Sequence, residues 1–262
     1  ITVHAKNAGI DTAFTTNATP LTEKFCQKTL GFIRWIKVSI NAGKAETYAR
    51  IHRAPKKHFN LVFKNIRNAT KIRNDNDYDC TIGTQMLLLP ENQNEIRILA
   101  EEIKFAGGDY LVIKPHSQHP QSKVWTYEEL VYDSLVLDEA EEISKKISDL
   151  SFKLTVREHT AVKLTEDSRP YSLCHATPFF WAYITADGDI YSCSMFLGDR
   201  RFLLGNIYEH NFQEIWEGER RKENWLLMQE FGVSNCRKNC RMDEDNRYLQ
   251  RRKNPPPHVN FI

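Results

Sequence analysis

Four cysteines in the last third of the chain are the residues best suited to chemistry: Cys174, Cys193, Cys236 and Cys240. The first two frame a Cys-x13-Gly-x4-Cys pattern through Gly188, and the last two sit in CRKNC. Thiolates are soft ligands, and four of them suit a tetrahedral zinc or a cubane iron–sulfur cluster. A turn at Ala186-Asp187-Gly188-Asp189 lets the chain reverse, which carries Cys193 back toward Cys174. The competing reading treats the four as small buried hydrophobes. CRKNC is polar and basic, poor surroundings for two inert thiols. Zinc sites more often show two CxxC knuckles, and composition leaves zinc and iron–sulfur both open. Cys26 and Cys80 stand alone. The distribution fits a metal site in a reducing cytosol better than a secreted disulfide scaffold.

Further polar groups close apolar runs. Thr16 and Asn17 end DTAFTTN, Ser39 and Asn41 alternate at the end of WIKVSIN, and Lys114, His116, Gln118 and His119 cluster in IKPHSQHP. Alternation places Ser39 and Asn41 on one side of a strand. Each of these residues could instead merely terminate a strand, and the histidines could be exposed loop residues or metal ligands.

The elements that would position them repeat through residues 1–120. Four apolar runs, within 11–17, 35–41, 81–89 and 109–117, rich in Val, Ile and Leu, read as parallel strands buried on both faces. Residues 22–30, 60–72 and 95–105 place apolar side chains three and four apart, as amphipathic helices do. Strands alternating with helices imply βα units in a barrel or a doubly wound sheet. The opening ITVHAKNAGI reads as the end of a helix closed by Gly9, so the chain is expected to begin inside a domain. Residues 121–150 form a bridge containing a charged helix. From 151 the pattern changes: FKLTVRE alternates like a half-buried strand, FFWAYI-TADGD-IYSCSMF is a hairpin, and NFQEIWEGERRKENWLLMQEF is one helix with Phe212, Ile215, Trp216 and Leu226 as core contacts. The tail NPPPHVNFI cannot be helical at its prolines. The expected architecture is α/β: a partial parallel (β/α) barrel at 1–120, incomplete at its N-terminus, a bridge at 121–150, and a small α+β domain at 151–262.

The segment CHATPFFWAYITADGDIYSC followed by Gly205-Asn206-Ile207 and Glu214-Ile215-Trp216 resembles the SPASM or twitch extension of radical S-adenosylmethionine (SAM) enzymes. TTNAT resembles the Thr-Asn-Gly that ends the third strand of their barrel, with Ala18 in place of Gly. VSINAGKAETYARIHR resembles the fourth-strand pattern Ser-x-Asp-(Ala/Gly) followed by Glu-Thr-Tyr and a basic residue, with Asn41 in place of Asp. The resemblance implies that Cys174, Cys193, Cys236 and Cys240 ligate one auxiliary [4Fe–4S] cluster, as in the one-cluster twitch form. It implies SAM contacts from Thr16, Asn17, Ser39, Asn41, His52, Arg53 and Lys114, and substrate contacts from His116, Gln118 and His119. It implies an enzyme that abstracts hydrogen with a 5′-deoxyadenosyl radical, served by a reductase or flavodoxin-type electron donor. Its substrate would be a small molecule such as a sugar or nucleotide, with a peptide as the second choice. The motif Cys-x-x-x-Cys-x-x-Cys of the SAM-binding [4Fe–4S] cluster does not occur in these 262 residues, so that second cluster is expected only in an intact protein and the fragment itself is expected to be inactive. The alternative is a degenerate iron–sulfur or zinc module that binds or transfers electrons without SAM chemistry.

Composition narrows the partners. At 41% hydrophobic and 11% aromatic residues the chain can bury a core. Lys and Arg number 36 against 34 Asp and Glu, which makes no electrostatic case for nucleic acid or a membrane surface. No apolar run approaches the ~20 residues of a membrane span. A cytoplasmic enzyme is the expectation.

Overall fold

The computed structural model describes residues 1–119, 121–123, 125–127, 130, 132, 134–165, 168–177, 179–234 and 236–259. In the expected bridge, residues 124, 128, 129, 131 and 133 lie outside the described residues, as do the last three of the tail. The elements are α1 (Thr2–Asn7), β1 (Ala13–Thr16), α2 (Glu23–Thr29), β2 (Trp35–Ser39), α3 (Ala45–His52), α4 (Lys57–Asp75), β3 (Thr81–Leu88), α5 (Ile96–Phe105), β4 (Tyr110–Pro115), α6 (Ser134–Ile147), β5 (Lys153–Val156) and α7 (Glu158–Thr165), then β6 (Tyr183–Ile184), β7 (Asp189–Tyr191), β8 (Leu203–Asn206), α8 (Phe212–Glu217), α9 (Glu219–Phe231) and α10 (Asp243–Lys253).

Among the described residues, β1 to β5 form one sheet in chain order, every neighbouring pair parallel. Among the described residues the sheet is open at both edges, with β1 paired to β2 alone and β5 to β4 alone. The four expected strands are all present. The fifth is FKLTVRE, which joins β4 in parallel with Tyr110 opposite Lys153. The chain divides into two compact units, Ile1–His116 with Glu129–Ala161, and Ser117–Glu128 with Val162–Ile262, so the segment after residue 150 starts in the sheet unit.

One expectation needs correcting. The strands are not buried on both faces. Burial alternates along β2 and β4, and Ile36, Val38, Ile82, Met86, Leu111 and Ile113 enter a core with Val62 and Ile66 of α4, Leu99 and Ile103 of α5, and Ile143 of α6. The other face carries Trp35, Lys37, Ser39, Gln85, Tyr110, Val112 and Lys114, half-buried. Period-2 burial of this kind means that only one face packs on helices. Cys26 and Cys80 are buried in that same core.

In the second unit, β6, β7 and β8 form an antiparallel sheet in that order. The expected hairpin is present, with Gly188 at φ +86°, a conformation that glycine takes without steric cost. A Cβ there would also lie 2.6 Å from the Tyr208 ring. The helix expected from residue 211 to 231 is two helices, broken at Gly218, whose extended backbone (ψ 167°) ends α8. Consequently Ile215 is buried but Phe212 and Leu226 are exposed, and α9 buries Asn224 and Met228 instead. Among the described residues, no helix is long and apolar enough to cross a membrane.

Candidate functional site

The four cysteines come from three places in the second unit. Cys174 lies in the loop before β6, Cys193 just after β7, and Cys236 and Cys240 between α9 and α10. All four line one cavity of about 70 Å³, together with His119 and Arg237. A Phe and Met core backs it: Phe196 stacks on Phe202 with ring centroids 4.2 Å apart, Phe231 meets both edge-on, and Met195, Met228 and Met242 are buried beside them.

Local chemistry explains the loops. The Gly-Asn-Ile and Glu-Ile-Trp motifs brace the hairpin that delivers Cys193. The Asn206 amide donates to the Asp187 carbonyl (3.0 Å) and to Asp189 Oδ1 (2.9 Å), while its Oδ1 accepts from the Tyr208 amide. Asn211 and Glu214 form a capping box at the start of α8, which satisfies two orphan amides. Ile215 packs with Ile190 of β7 and Leu204 of β8, and the Arg221 guanidinium lies 4.0 Å over Trp216.

Arg169 fixes the loop that bears Cys236. Its guanidinium donates to the carbonyls of Val233 (2.7 Å), Cys236 (3.1 Å) and Arg237 (2.5 Å). Arg237 in turn donates to the Ser117 hydroxyl and carbonyl, tying the segment after β4 to the same loop. Asn246, buried on α10, donates to Cys174 Sγ at 3.4 Å and to the Met242 carbonyl, and accepts from the His175 and Ala176 amides. The Met242 amide donates to Cys240 Sγ. Such N–H···S bonds fix the direction of a thiolate and draw off part of its charge, which tunes any metal it holds. The supports from Arg169 and Arg237, and those from Asn246 to Cys174, His175 and Ala176, are not visible in the sequence, because their partners lie roughly 60 to 70 residues apart or more and belong to no motif.

Burial pushes the Cys193 thiol up to about 12 and the Cys236 thiol up to about 11, with the neighbouring cysteines adding to both; Cys240 is raised for the same first cause. Each folded pKa lies above the ordinary thiol value near 9. Folding therefore favours the protonated thiols, and that contribution is whole below pH 9. It is lost as pH rises from 9 through about 11 to 12. The metal-free protein is thus expected to lose thermal stability steeply above pH 9, and Cys193→Ala with Cys236→Ala to flatten that loss. Melting temperatures between pH 8 and 10.5 test it; identical slopes in both proteins would refute the assignment.

Among the described residues, no three Cys, His, Asp or Glu side chains form a group that could hold a metal ion, yet four thiols line one cavity. Four thiols on one cavity are soft donors of the kind that hold zinc or an iron–sulfur cluster.

Residues 174–241 match SPASM, an iron–sulfur cluster-binding domain. The matched stretch contains Cys174, Cys193, Cys236 and Cys240. Among curated proteins none matches the chain in sequence. Solved structures do match in fold. Streptococcus suis SuiB is 15% identical with a TM-score of 0.58, over 84% of this chain and 52% of SuiB. SuiB bound to its precursor peptide SuiA gives 17% and 0.57, over 83% and 50%. anSMEcpe with bound AdoMet gives 12% and 0.52, over 97% and 76%. This chain spans about half the length of SuiB. The likeness is one of fold, a parallel sheet packed on helices, and the segment that matches SPASM follows that sheet in the chain.

The strand-end residues divide by role. Thr16 Oγ1 accepts from the Ala18 amide, and Asn17 Oδ1 accepts from the amide and hydroxyl of Thr19, so both shape the turn after β1. Ala18, fully buried, takes a φ of +60°, and its carbonyl accepts from Asn65. Asn41 Oδ1 accepts from the Leu87 amide (2.8 Å), its carbonyl accepts from Asn92, and its amide donates to His52 Nε2 (3.1 Å). His52 is therefore an acceptor on Nε2. Burial lowers its pKa, and it stacks on Tyr48. Arg53 caps α3 in the left-handed conformation and is exposed. Ser39 Oγ has no protein partner among the described residues. Lys114 is half-buried on β4 beside the other inner-face residues.

The IKPHSQHP residues part company. The His116 amide donates to the Tyr132 hydroxyl and closes the first unit, whereas Gln118 and His119 belong to the second. His119 Nδ1 accepts from the Gln121 amide, which leaves the ring proton on Nε2, and burial with the Arg237 charge lowers its pKa. Glu95 was not singled out in the sequence. Its buried carboxylate accepts from the Gly43 amide (2.8 Å), the Lys44 amide (3.1 Å) and the Thr47 hydroxyl (2.6 Å), capping α3 from 50 residues away.

Proposed function

We propose that this chain is the SPASM-bearing part of a radical SAM enzyme. Cys174, Cys193, Cys236 and Cys240 would hold one auxiliary [4Fe–4S] cluster, and the inner ends of β1, β2 and β4 would form the wall of a SAM pocket. The observation that carries this reading is the convergence of four thiols on one cavity inside the segment that matches the cluster-binding family. In an intact protein, the clusters and SAM would supply electron transfer and the radical that abstracts substrate hydrogen.

This chain's residues would bind and orient. Ser39 offers an uncommitted hydroxyl to SAM, and Lys114 a charge on the same face. Arg53 is better placed than His52 to pair with a carboxylate, because His52 is neutral and its Nε2 lone pair serves the Asn41 amide. Thr16, Asn17 and Asn41 act by holding their loops. His119, in the wall of the cysteine cavity, would present Nε2–H to whatever reaches the cluster, while His116 and Gln118 would approach substrate from the loop after β4. A small molecule is the favoured substrate. The precursor peptide SuiA bound to SuiB supports a peptide as the second reading. A cytoplasmic setting with a flavodoxin-type donor completes the proposal.

Anaerobic reconstitution of the chain with iron and sulfide is expected to give broad absorption near ~400 nm, typical of thiolate-held clusters, and Cys193→Ser should abolish it. Stoichiometric zinc with no such band would replace the cluster by a zinc module. Residues 1–262 contain no Cys-x-x-x-Cys-x-x-Cys and should produce no 5′-deoxyadenosine from SAM and dithionite; robust production would overturn the reading.

A further inference from the structure

The inner face of the parallel sheet opens into a cavity of about 400 Å³ lined by Lys37, Gln85, Tyr110, Lys153, Thr155 and Arg157 among others. That volume lies within the roughly 300 to 1,000 Å³ of small-molecule sites. All its lining residues belong to the first unit.

The register explains the grouping. Lys37 stands opposite Gly83, Gly83 opposite Tyr110, and Tyr110 opposite Lys153. One row across four strands therefore carries two lysines and a tyrosine. The next row carries Gln85, Val112 and Thr155. Gly83 is required: a Cβ there would fall 2.0 Å from the Tyr110 ring. The ring crosses Gly83 to accept a hydrogen bond from Trp35 Nε1 at 2.8 Å. Lys37 Nζ lies 5.2 Å over the Trp35 ring. The floor is thus a fixed aromatic pair.

Charge on this face is one-sided. The lining carboxylate, Asp109, is committed to the Arg73 guanidinium and the Ile82 amide. Among the described residues, neither Lys153 nor Arg157 has an ion-pair partner. Cations gathered in a recess repel one another, and a bound anion relieves that repulsion. The neutral groups are donors as well. Because Tyr110 Oη accepts from Trp35, its own hydroxyl proton remains to give, and Thr155 and Gln85 add a hydroxyl and an amide. Burial keeps the tyrosine protonated.

We propose that this cavity is an anion subsite that binds a phosphate monoester group of a small-molecule substrate, with Lys37, Lys153 and Arg157 as the cationic contacts. A phosphate has three terminal oxygens and close to two charges, which matches three cations and three neutral donors better than a carboxylate does. Calling the ligand a substrate rests on the function proposed above; the binding itself does not.

Calorimetric titration of the metal-free 262-residue chain with phenyl phosphate tests it, with inorganic phosphate, benzoate and tetraglutamate as the other arms. Phenyl phosphate should bind, and its affinity should fall steeply in 0.5 M salt. The exposed pair Lys153→Ala with Arg157→Ala should weaken it by about tenfold or more while leaving the melting temperature in place. If that pair melts early, Arg157→Gln alone carries the test, with a smaller loss of the same sign. Inorganic phosphate binding as tightly as phenyl phosphate keeps the anion subsite and removes any part for the aromatic floor. Benzoate or tetraglutamate binding more tightly, no binding of phenyl phosphate at millimolar concentration, or unchanged affinity in the variants would each overturn the proposal. No iron or SAM enters the titration, so failure to load a cluster would sink the proposed function and leave this result standing.

Discussion

Glu95→Ala is expected to be among the most damaging single substitutions in the sheet unit, costing about 3 to 5 kcal/mol. The carboxylate is 5% exposed and is the acceptor for two backbone amides and a hydroxyl at the start of α3. Bonds to a buried charge contribute roughly 1.5 to 3 kcal/mol each, and donors left unpaired bear their full desolvation penalty. The first amides of a helix have no partner of their own, so the loss falls on α3 itself. Gly43 permits this close approach, since a Cβ there would lie 2.8 Å from the Glu95 carbonyl. At ~2 to 4 °C per kcal/mol for a chain of this size, the melting temperature should drop by roughly 10 °C. Glu95→Gln, which keeps one acceptor oxygen, should lose about half as much. A drop under about 2 °C for the alanine variant would show that water replaces the carboxylate and that α3 does not depend on it.

Arg169→Ala should reduce retention of the cluster by about ten- to a hundredfold, the range found when groups supporting a metal ligand are removed. The guanidinium spans three carbonyls within the loop that carries Cys236, and a planar fork can do this where an ammonium cannot. Arg169→Lys should therefore recover only part of the loss. Iron and sulfide content after reconstitution, and the rate at which a chelator strips the ~400 nm band, would report it. Cluster retention equal to that of the unaltered protein would mean that the loop holds its shape without Arg169.

What could be read from the sequence follows the range of the interactions. The four strands of residues 11–117 and helices α2, α4 and α5 rest on local periodicity, and all appear in place. Gly188 marks its turn because only a local conformation is at stake. β5 escaped assignment to the sheet because four residues of alternating pattern look the same in parallel and antiparallel settings. The break at Gly218 was masked by helix-forming residues on both sides. The polar inner face was misjudged because apolar content, not alternation, dominated the reading of β2 and β4. That the four cysteines would share one place was legible from spacing, whereas His119 in the cavity wall and the supports from Arg169, Arg237 and Asn246 depend on chain crossings that no local pattern encodes. Glu95 belongs with these: nothing near residue 95 indicates that it terminates a helix beginning at 45.

The turn after β1 bears on how departures from a motif are weighed. Ala18 replaces the glycine of the Thr-Asn-Gly pattern, yet it keeps the left-handed backbone (φ +60°) that such a glycine would supply. That conformation costs an alanine about 1 to 2 kcal/mol. Its fully enclosed methyl returns about 0.8 kcal/mol, and the stiffer unfolded chain returns about 0.4 to 1 kcal/mol more. The exchange is close to neutral, so the altered letter is conformationally silent. A larger side chain would meet both the backbone penalty and a packed wall. The position thus tolerates an alphabet of two, and a mismatch within that alphabet carries no information about function.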